Sequence, residues 1–153
     1  NILVKEISIP FQHVGNNLYD YLSYKLKKMY ENRCIEEGFI KKDSIEIIKD
    51  GISNGLLKNN DICFNVLFKC KICNPVENQI IKCIVKNITR AGIKCEYYIQ
   101  DEKSPIIVFI AKDYDFDTEK FEKYNIGDFI TIKIIGVRFE LGDEFISIIA
   151  SIH

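Results

Sequence analysis

Residues 127–136, Gly-Asp-Phe-Ile-Thr-Ile-Lys-Ile-Ile-Gly, carry the pattern that decides the fold of the C-terminal half of the chain. Isoleucine occupies positions 130, 132 and 134, and Thr131 and Lys133 stand between them. Successive side chains of a β-strand point to opposite faces, so the pattern predicts a strand with one apolar and one polar face. Residues 145–152 repeat it, with isoleucine or alanine at every even position from 146 to 152.

Three further strands are predicted upstream, at residues 79–88, 92–99 and 106–111, each bounded by turn-forming residues. An acidic stretch at 113–124 separates the third strand from the fourth. Five short strands with an insert between the third and fourth are typical of an OB-fold, a small closed β-barrel. The C-terminal half is therefore predicted to be a five-stranded OB-fold barrel.

The N-terminal half predicts a small antiparallel sheet with one helix. Residues 2–9 are rich in β-branched residues and precede Pro10, and strands are also predicted at 33–36, 39–48 and 62–72. The predicted helix has one apolar stripe, and Asn16 or Asn17 is expected to cap it. The stripe is formed by Leu18, Leu22, Leu26 and Met29. Turns are expected at Asp50-Gly51, Asn54-Gly55 and 59–61. The fold class is thus α+β, with a boundary near Pro75 that separates domains 1–76 and 77–153.

Composition limits the classes of function. The chain has 153 residues, of which 47% are hydrophobic and 28% charged, and its net charge is −1, so a strongly basic nucleic-acid clamp is excluded. Residues 1–76 carry 11 Lys and Arg against 9 Asp and Glu, and residues 77–153 carry 10 against 13. No apolar run is long enough to span a membrane, and no signal peptide is visible. An intracellular protein is expected.

Six cysteines raise the question of a disulfide scaffold or a metal site. Cys70 and Cys73 have the spacing of half a zinc knuckle, but residues three apart in one strand point to opposite faces unless the strand ends between them. No second Cys-x-x-Cys motif completes a tetrahedral set. Structural, reduced thiols are the favoured interpretation, with no bound metal.

No pattern of catalytic residues is found in the sequence. The acidic group formed by Asp113, Asp115, Asp117 and Glu119 lacks the glycine and the terminal glutamate of a calcium loop, so a solvated loop or helix start is expected. His13 and His153 have no flanking catalytic motif. The chain is therefore predicted not to be an enzyme and to need no cofactor.

The order of these segments resembles the large stalk subunit of multisubunit DNA-directed RNA polymerases, a family with archaeal members that also includes the seventh subunit of eukaryotic polymerase II. The resemblance covers essentially the whole chain. In the C-terminal half it rests on residues 80–92 and 127–136. In the N-terminal half the matching elements are the opening strand, Pro10 and Gly15, the leucine stripe of the helix, Arg33-Cys34, Glu37-Gly38-Phe39, Asp50-Gly51, residues 64–66 and Pro75. Residues 73–76, 91–93, 108–111 and 136–139 look most like versions from large DNA viruses.

The resemblance implies a non-catalytic stalk subunit whose N-terminal tip domain docks on the polymerase core near the clamp. Its implied partners are the largest core subunits, nascent RNA and, left open, a small second stalk subunit. It implies a location in the nucleus or, for a viral protein, in the virion and the host cytoplasm. The expected core contacts lie in two segments. They are Pro10, Phe11, Val14, Gly15, Ile52, Asn54, Gly55, Leu56 and Leu57. A hairpin whose apolar residues tuck under the sheet is the alternative interpretation.

Weak, sequence-independent contact with RNA would need a basic track and exposed planar groups. Four cations recur at intervals of four through the first barrel strand and the next turn, Lys133 in the fourth strand is expected to lie beside them, and three more residues are possible additions. The candidates are Lys82, Lys86, Arg90, Lys94, Lys133, Phe109, Lys112 and Arg138. Ordinary solvated strand charges are an equally good interpretation. Ile93-Lys94 follow Gly92 where relatives often carry an aromatic residue, so a weak stacking platform is expected.

Two other functions remain open. The first is a free-standing OB-fold RNA-binding protein of translation or RNA decay. The second is a thiol or metal protein built on the cysteines.

Overall fold

The protein is described by a computed structural model that covers residues 1–15, 17–99, 103–111 and 122–153. It divides into two compact units, Asn1–Cys73 and Asn74–His153. The N-terminal unit contains β1 (Ile2–Pro10), a 3-10 turn (Phe11–His13), α1 (Leu18–Tyr30), β2 (Cys34–Ile35), β3 (Gly38–Ile40), β4 (Glu46–Ile52), β5 (Leu56–Lys58), β6 (Asp61–Lys69) and β7 (Ile72–Cys73). The C-terminal unit contains β8 (Ile80–Ile88), β9 (Gly92–Tyr97), β10 (Ile106–Ala111), β11 (Phe129–Arg138) and β12 (Ile146–Ile152).

The C-terminal unit is a closed barrel with the strand order β10-β12-β11-β8-β9. Strands β10 and β12 are parallel, and the other four pairs are antiparallel. The first barrel strand thus pairs with the second and fourth, and the fifth pairs with the third and fourth, which is OB-fold connectivity. The predicted fold class, including the five-stranded barrel, is confirmed.

The barrel interior follows the predicted alternation. The side chains at positions 130, 132 and 134 are buried, whereas Thr131 and Lys133 are exposed. The even positions from Ile146 to Ile152 are also buried. Gly92 begins β9 at a point where the chain touches β10 so closely that a Cβ atom would lie 2.0 Å from the Ile110 carbonyl oxygen. Its φ of +157° is also one that L side chains rarely adopt, so glycine is required there on both grounds.

The N-terminal unit contains two sheets where one was predicted. β6 lies at the centre of the larger sheet, pairing with β1 on one side and with β4 and β5 on the other, and β2, β3 and β7 form a second sheet. The helix packs Leu22 and Leu26 against the larger sheet, where Phe64, Val66 and Phe68 are buried. The strand predicted at 62–72 is present as β6, but it ends at Lys69.

Three local predictions in this unit are wrong. The predicted strand at 39–48 is broken, because Asp43 has a φ of +59° and Ser44 donates its backbone N–H and its hydroxyl to the Lys41 carbonyl. Asp50 and Gly51 form an irregularity inside β4, since Asp50 has a φ of +61° and the register with β6 shifts there. Met29 is 41% exposed and lies off the buried stripe of α1.

Asn17 occupies the N-cap position of α1, but its side chain makes no capping hydrogen bond. The cap predicted at Asn17 is therefore not formed, and the other candidate, Asn16, lies outside the described residues. Asp20 in the first turn and Lys27 and Lys28 in the last turn are placed favourably with respect to the helix dipole. None of the helices in the described part of the chain is long and apolar enough to cross a membrane.

Candidate docking and nucleic-acid surfaces

The two segments expected to contact a polymerase core lie at the same end of the larger N-terminal sheet. β1 ends at Pro10, opposite Asp61 at the start of β6. The backbone N–H of Phe11 then donates to the carbonyl of Asn60 in the β5–β6 turn, with an N–O distance of 3.2 Å. β5 is paired antiparallel with the first residues of β6, so it lies at the same end of the sheet. The fold thus brings together segments that are about 40 residues apart in the sequence.

This end of the sheet exposes large apolar side chains. Phe11 is 64% exposed, Leu56 65% and Leu57 68%, and Val14 is 36% exposed. We call these four residues the apolar tip. Large apolar side chains exposed at one end of a sheet are candidates for a contact site. Leu56 and Leu57 are too exposed for the alternative interpretation, in which the apolar residues of the hairpin tuck under the sheet.

The remaining expected contact residues differ in accessibility. Gly15, Asn54 and Gly55 are exposed and Pro10 is half-buried. Gly55 lets the chain pass directly over the sheet, since a Cβ atom there would lie 2.4 Å from a methyl group of Ile62. Ile52 is half-buried and packs against the N-terminal core, so it offers little surface to a partner.

Lys82, Lys86 and Lys133 point outward from the barrel, and all three are exposed. Lys82 in β8 lies opposite Thr131 in β11, and Lys133 lies opposite Ile80. Lys82 and Lys133 are therefore diagonal neighbours on two paired strands, within the reach of long side chains. The expected proximity of these two cations is present. Lys86 lies four residues farther along β8, beside the irregularity between Val85 and Asn87.

Two aromatic residues next to Lys82 were not predicted as part of this surface. The ammonium of Lys82 lies 4.3 Å from the centre of the Phe129 ring, within the range of a cation–π interaction. Tyr98 and Phe129 make a T-shaped contact with ring centres 5.3 Å apart. Phe129 is 50% exposed and Tyr98 43%. The alternation around Ile130 places Phe129 outside and could have found it, whereas Tyr98 follows the end of β9 and has no such signal.

The other expected RNA contacts form a second group. Phe109 in β10 lies directly opposite Lys94 in β9 and Ile149 in β12. Arg138 lies opposite Ser147, two residues from Ile149 along β12. Arg90 is exposed in the β8–β9 turn. Lys94 also lies opposite Asn87, next to Lys86 in β8, so the two groups adjoin through the β8–β9 pair.

Lys112 and the acidic residues Asp113, Asp115, Asp117 and Glu119 lie outside the described residues. The RNA contact expected of Lys112 and the solvated segment expected of the acidic residues therefore stay predictions.

The six cysteines are present as free thiols. The strand argument against a Cys70–Cys73 metal site does not hold, because β6 ends at Lys69 and β7 begins at Ile72, between the two thiols. In the ranges that the structure describes, however, no three His, Cys, Asp or Glu side chains come together as a metal site requires. Burial, and then the neighbouring Cys95 thiol, raises the pKa of Cys83 to about 12, and burial raises the pKa of Cys95 to about 12. These two thiols stay protonated at neutral pH and are poor nucleophiles.

Comparison with known proteins found a relative that matches both halves of the chain. The chain is 28% identical to a protein of Acanthamoeba polyphaga mimivirus named "Putative DNA-directed RNA polymerase subunit", over 94% of this chain and 75% of that protein. No family model matches the chain. Among solved structures, it matches an uncharacterized protein of Methanocaldococcus jannaschii with 20% identity and a TM-score of 0.40, over 53% of this chain and 96% of that one. A structural likeness of that size carries no argument.

The mimivirus similarity supports the expectation of an RNA polymerase subunit of a large DNA virus. It extends over both compact units, since it covers nearly all of this chain. This chain is similar in sequence, along nearly its whole length, to a viral protein named as an RNA polymerase subunit.

Proposed function

We propose that this chain is a non-catalytic stalk subunit of a DNA-directed RNA polymerase of a large DNA virus. In this proposal the N-terminal unit docks on the largest core subunits near the clamp, and the barrel contacts nascent RNA. The observation that carries the proposal is the 28% identity to the mimivirus protein over 94% of the chain. The order of a small α/β unit followed by an OB-fold barrel agrees with a stalk subunit.

The apolar tip supports the docking part of the proposal. Phe11, Leu56 and Leu57 are each more than 60% exposed and lie at one end of a sheet whose strands are held by regular pairing. Burying three such side chains against a partner would contribute several kcal/mol, at about 25 cal/mol per Å² of apolar surface. Leu56 and Leu57 belong to a strand that is already paired, so they need less ordering on binding and less of that energy is lost.

The cluster of Lys82, Phe129 and Tyr98 supports the RNA part of the proposal. A cation beside exposed aromatic rings offers a phosphate contact next to a surface on which a base can stack. Because the chain's net charge is −1, contact would be weak and independent of sequence. In this proposal Phe129 and Tyr98 supply stacking surface that Ile93 and Lys94 lack.

Affinity purification of the tagged full chain from its native source, followed by mass spectrometry, tests this function. The two largest polymerase subunits are expected among the partners. The variant Leu56→Asp/Leu57→Asp is expected to lose them, because charge at the apolar tip would have to be desolvated on docking. Ile126→Asp/Leu141→Asp is the matched control, since both of its side chains are at least 67% exposed in the barrel unit.

Recovery of ribosomal proteins or RNA alone, without polymerase subunits, would overturn the stalk assignment and favour the free-standing RNA-binding protein. Equal loss of partners in both double variants would overturn the docking surface while leaving the polymerase assignment in place.

A further inference from the structure

The exposed side of α1 carries a groove that the proposed function does not use. It is lined by Tyr21, Tyr24, Lys25, Lys28, Met29 and Arg33. Residues three and four apart on a helix are neighbours, so these α1 residues form a stripe beside the buried one. The groove ends at Arg33, just before β2.

The groove is positively charged. Three of its six lining residues are cations, and none of the six is a carboxylate. Within the described residues, Lys25, Lys28 and Arg33 form no ion pair with an acidic side chain. Lys25 donates a hydrogen bond to the Ser8 carbonyl, which fixes its ammonium over the free edge of β1. An anionic partner would therefore meet cations whose charge is not already neutralised.

The groove is also partly apolar. Tyr24 is 63% exposed and Met29 is 41% exposed, although both belong to a helix whose other side is packed in the core. Lys28 lies 5.9 Å from the centre of the Tyr24 ring, so cation and aromatic surface are adjacent. An exposed methionine beside a ring offers an adaptable surface for an apolar side chain.

These features favour a peptide over a nucleic acid. Stacking of successive bases needs several open rings, but the Tyr21 ring is already stacked on His13, with ring centres 5.7 Å apart. Of the two tyrosines in the groove, Tyr24 therefore offers the more accessible ring. Met29 provides a surface against which an aliphatic or aromatic side chain can pack. We propose that the α1 groove binds an acidic peptide segment that carries a large apolar side chain. Its carboxylates would contact Lys28 and Arg33, and its apolar side chain would pack between Tyr24 and Met29.

Fluorescence anisotropy with the full chain tests this site. The probe is a fluorescein-labelled peptide of about 12 residues, made of Asp and Glu around a central Phe and Leu. Lys28→Glu/Arg33→Glu is expected to weaken binding by about tenfold or more, which corresponds to about 1.4 kcal/mol. Lys42→Glu/Lys49→Glu changes the net charge equally at exposed positions outside the groove and is expected to change binding by less than about threefold.

Two measurements keep the test independent of whether the variants fold. A peptide with Asn and Gln in place of Asp and Glu, and one with Ser in place of Phe and Leu, should each bind the unaltered chain about tenfold more weakly. Equal binding of the neutral peptide, or equal effects of both double variants, would overturn the site. Tighter binding of single-stranded oligouridine through Lys28 and Arg33 would replace the peptide with a nucleic acid and would also overturn the proposal.

Discussion

The two units of this chain differ in how regularly their strands are built. Four of the five barrel strands, all except β9, alternate buried and more exposed positions over most of their length, as in β12 from Ile146 to Ile152. In the N-terminal unit, both residues of β2 and all three residues of β3 are buried, so these two strands show no alternation. β4 is interrupted by the positive φ of Asp50. A strand can be predicted from its pattern when one face is buried and the other exposed, and is concealed when both faces are buried.

The largest expected effect concerns the aromatic centre of the N-terminal core. Phe68 is fully buried and stacks on Tyr30, with ring centres 6.4 Å apart. Phe68→Ala is expected to lower the free energy of unfolding by about 3–5 kcal/mol, because it removes buried surface and leaves a cavity. Ile132→Val, at a fully buried barrel position, is expected to cost only about 0.5–1.5 kcal/mol. Urea denaturation measures both.

Equal losses for Phe68→Ala and Ile132→Val would contradict this ranking. They would mean that the N-terminal core relaxes to fill the space left by the ring.

The next effect tests the close approach that closes the barrel. Gly92→Ala would place a Cβ atom 2.0 Å from the Ile110 carbonyl oxygen, so the β9–β10 pairing would have to move. We expect a loss of about 3 kcal/mol from overpacking and backbone strain together. Gly136→Ala is the control, because within the described residues no atom apart from its chain neighbours lies within 4 Å of its Cβ position. Thermal unfolding compares the two variants, and a Gly92→Ala protein as stable as Gly136→Ala would contradict the geometry.

Particular residues show how much of this could be predicted from the sequence. The barrel, its five strands and the outward positions of Lys82, Lys133 and Phe109 could be predicted, because alternation fixes both the strand and the face. The break at Asp43 and the irregularity at Asp50 could not, since turn residues indicate a change of direction without saying whether the strand resumes. The Tyr98–Phe129–Lys82 cluster depends on long-range strand register. The apolar tip depends on the Phe11–Asn60 hydrogen bond, which no local pattern reveals.

The buried thiols of the barrel give a pH dependence. The pKa of both Cys83 and Cys95 is raised from 9.0 to about 12 in the folded state. Above pH 9 the unfolded chain loses these protons and the folded chain keeps them, so this contribution to stability is complete below pH 9 and falls as the pH rises toward 12. The free energy of unfolding of Cys83→Ala/Cys95→Ala should therefore decrease less between pH 9 and pH 10.5 than that of the unaltered chain. Urea titrations at several pH values measure it, and identical slopes for both proteins would contradict the prediction.

A smaller effect concerns the charged surface of the barrel. Lys82→Gln is expected to weaken binding of single-stranded oligouridine by about two- to fivefold and to reduce the dependence of log affinity on log salt by about 0.7. Lys49→Gln, an exposed lysine of β4, is the control and should change neither quantity. Anisotropy titrations at several salt concentrations give both. If the two variants behave alike, the lysines of the barrel are ordinary solvated charges.

The smallest effect concerns the start of α1. Asn17→Ala is expected to change stability by less than about 0.5 kcal/mol, since the Asn17 side chain makes no capping hydrogen bond. A working cap would cost about 1 kcal/mol when removed. Thermal unfolding distinguishes the two, and the larger loss would mean that Asn17 caps the helix in solution.

Photo-crosslinking in the assembled polymerase tests the central claim, that the end of the N-terminal sheet docks on the core. Lys58 and Lys69 are matched sites, because each forms an exposed ion pair, at 3.4 Å with Glu6 and 3.8 Å with Glu46, and their side chains are 59% and 57% exposed. Lys58 ends β5 opposite Asp61, the first residue of β6, and Lys69 is the last residue of β6, so the two sites are separated by about the length of β6, about 27 Å at about 3.4 Å per residue. With p-benzoylphenylalanine in place of each lysine in turn, we predict crosslinks to one of the two largest subunits from position 58 and none from position 69. Crosslinks from position 69 alone, or from neither position in a complex that contains the chain, would contradict the account.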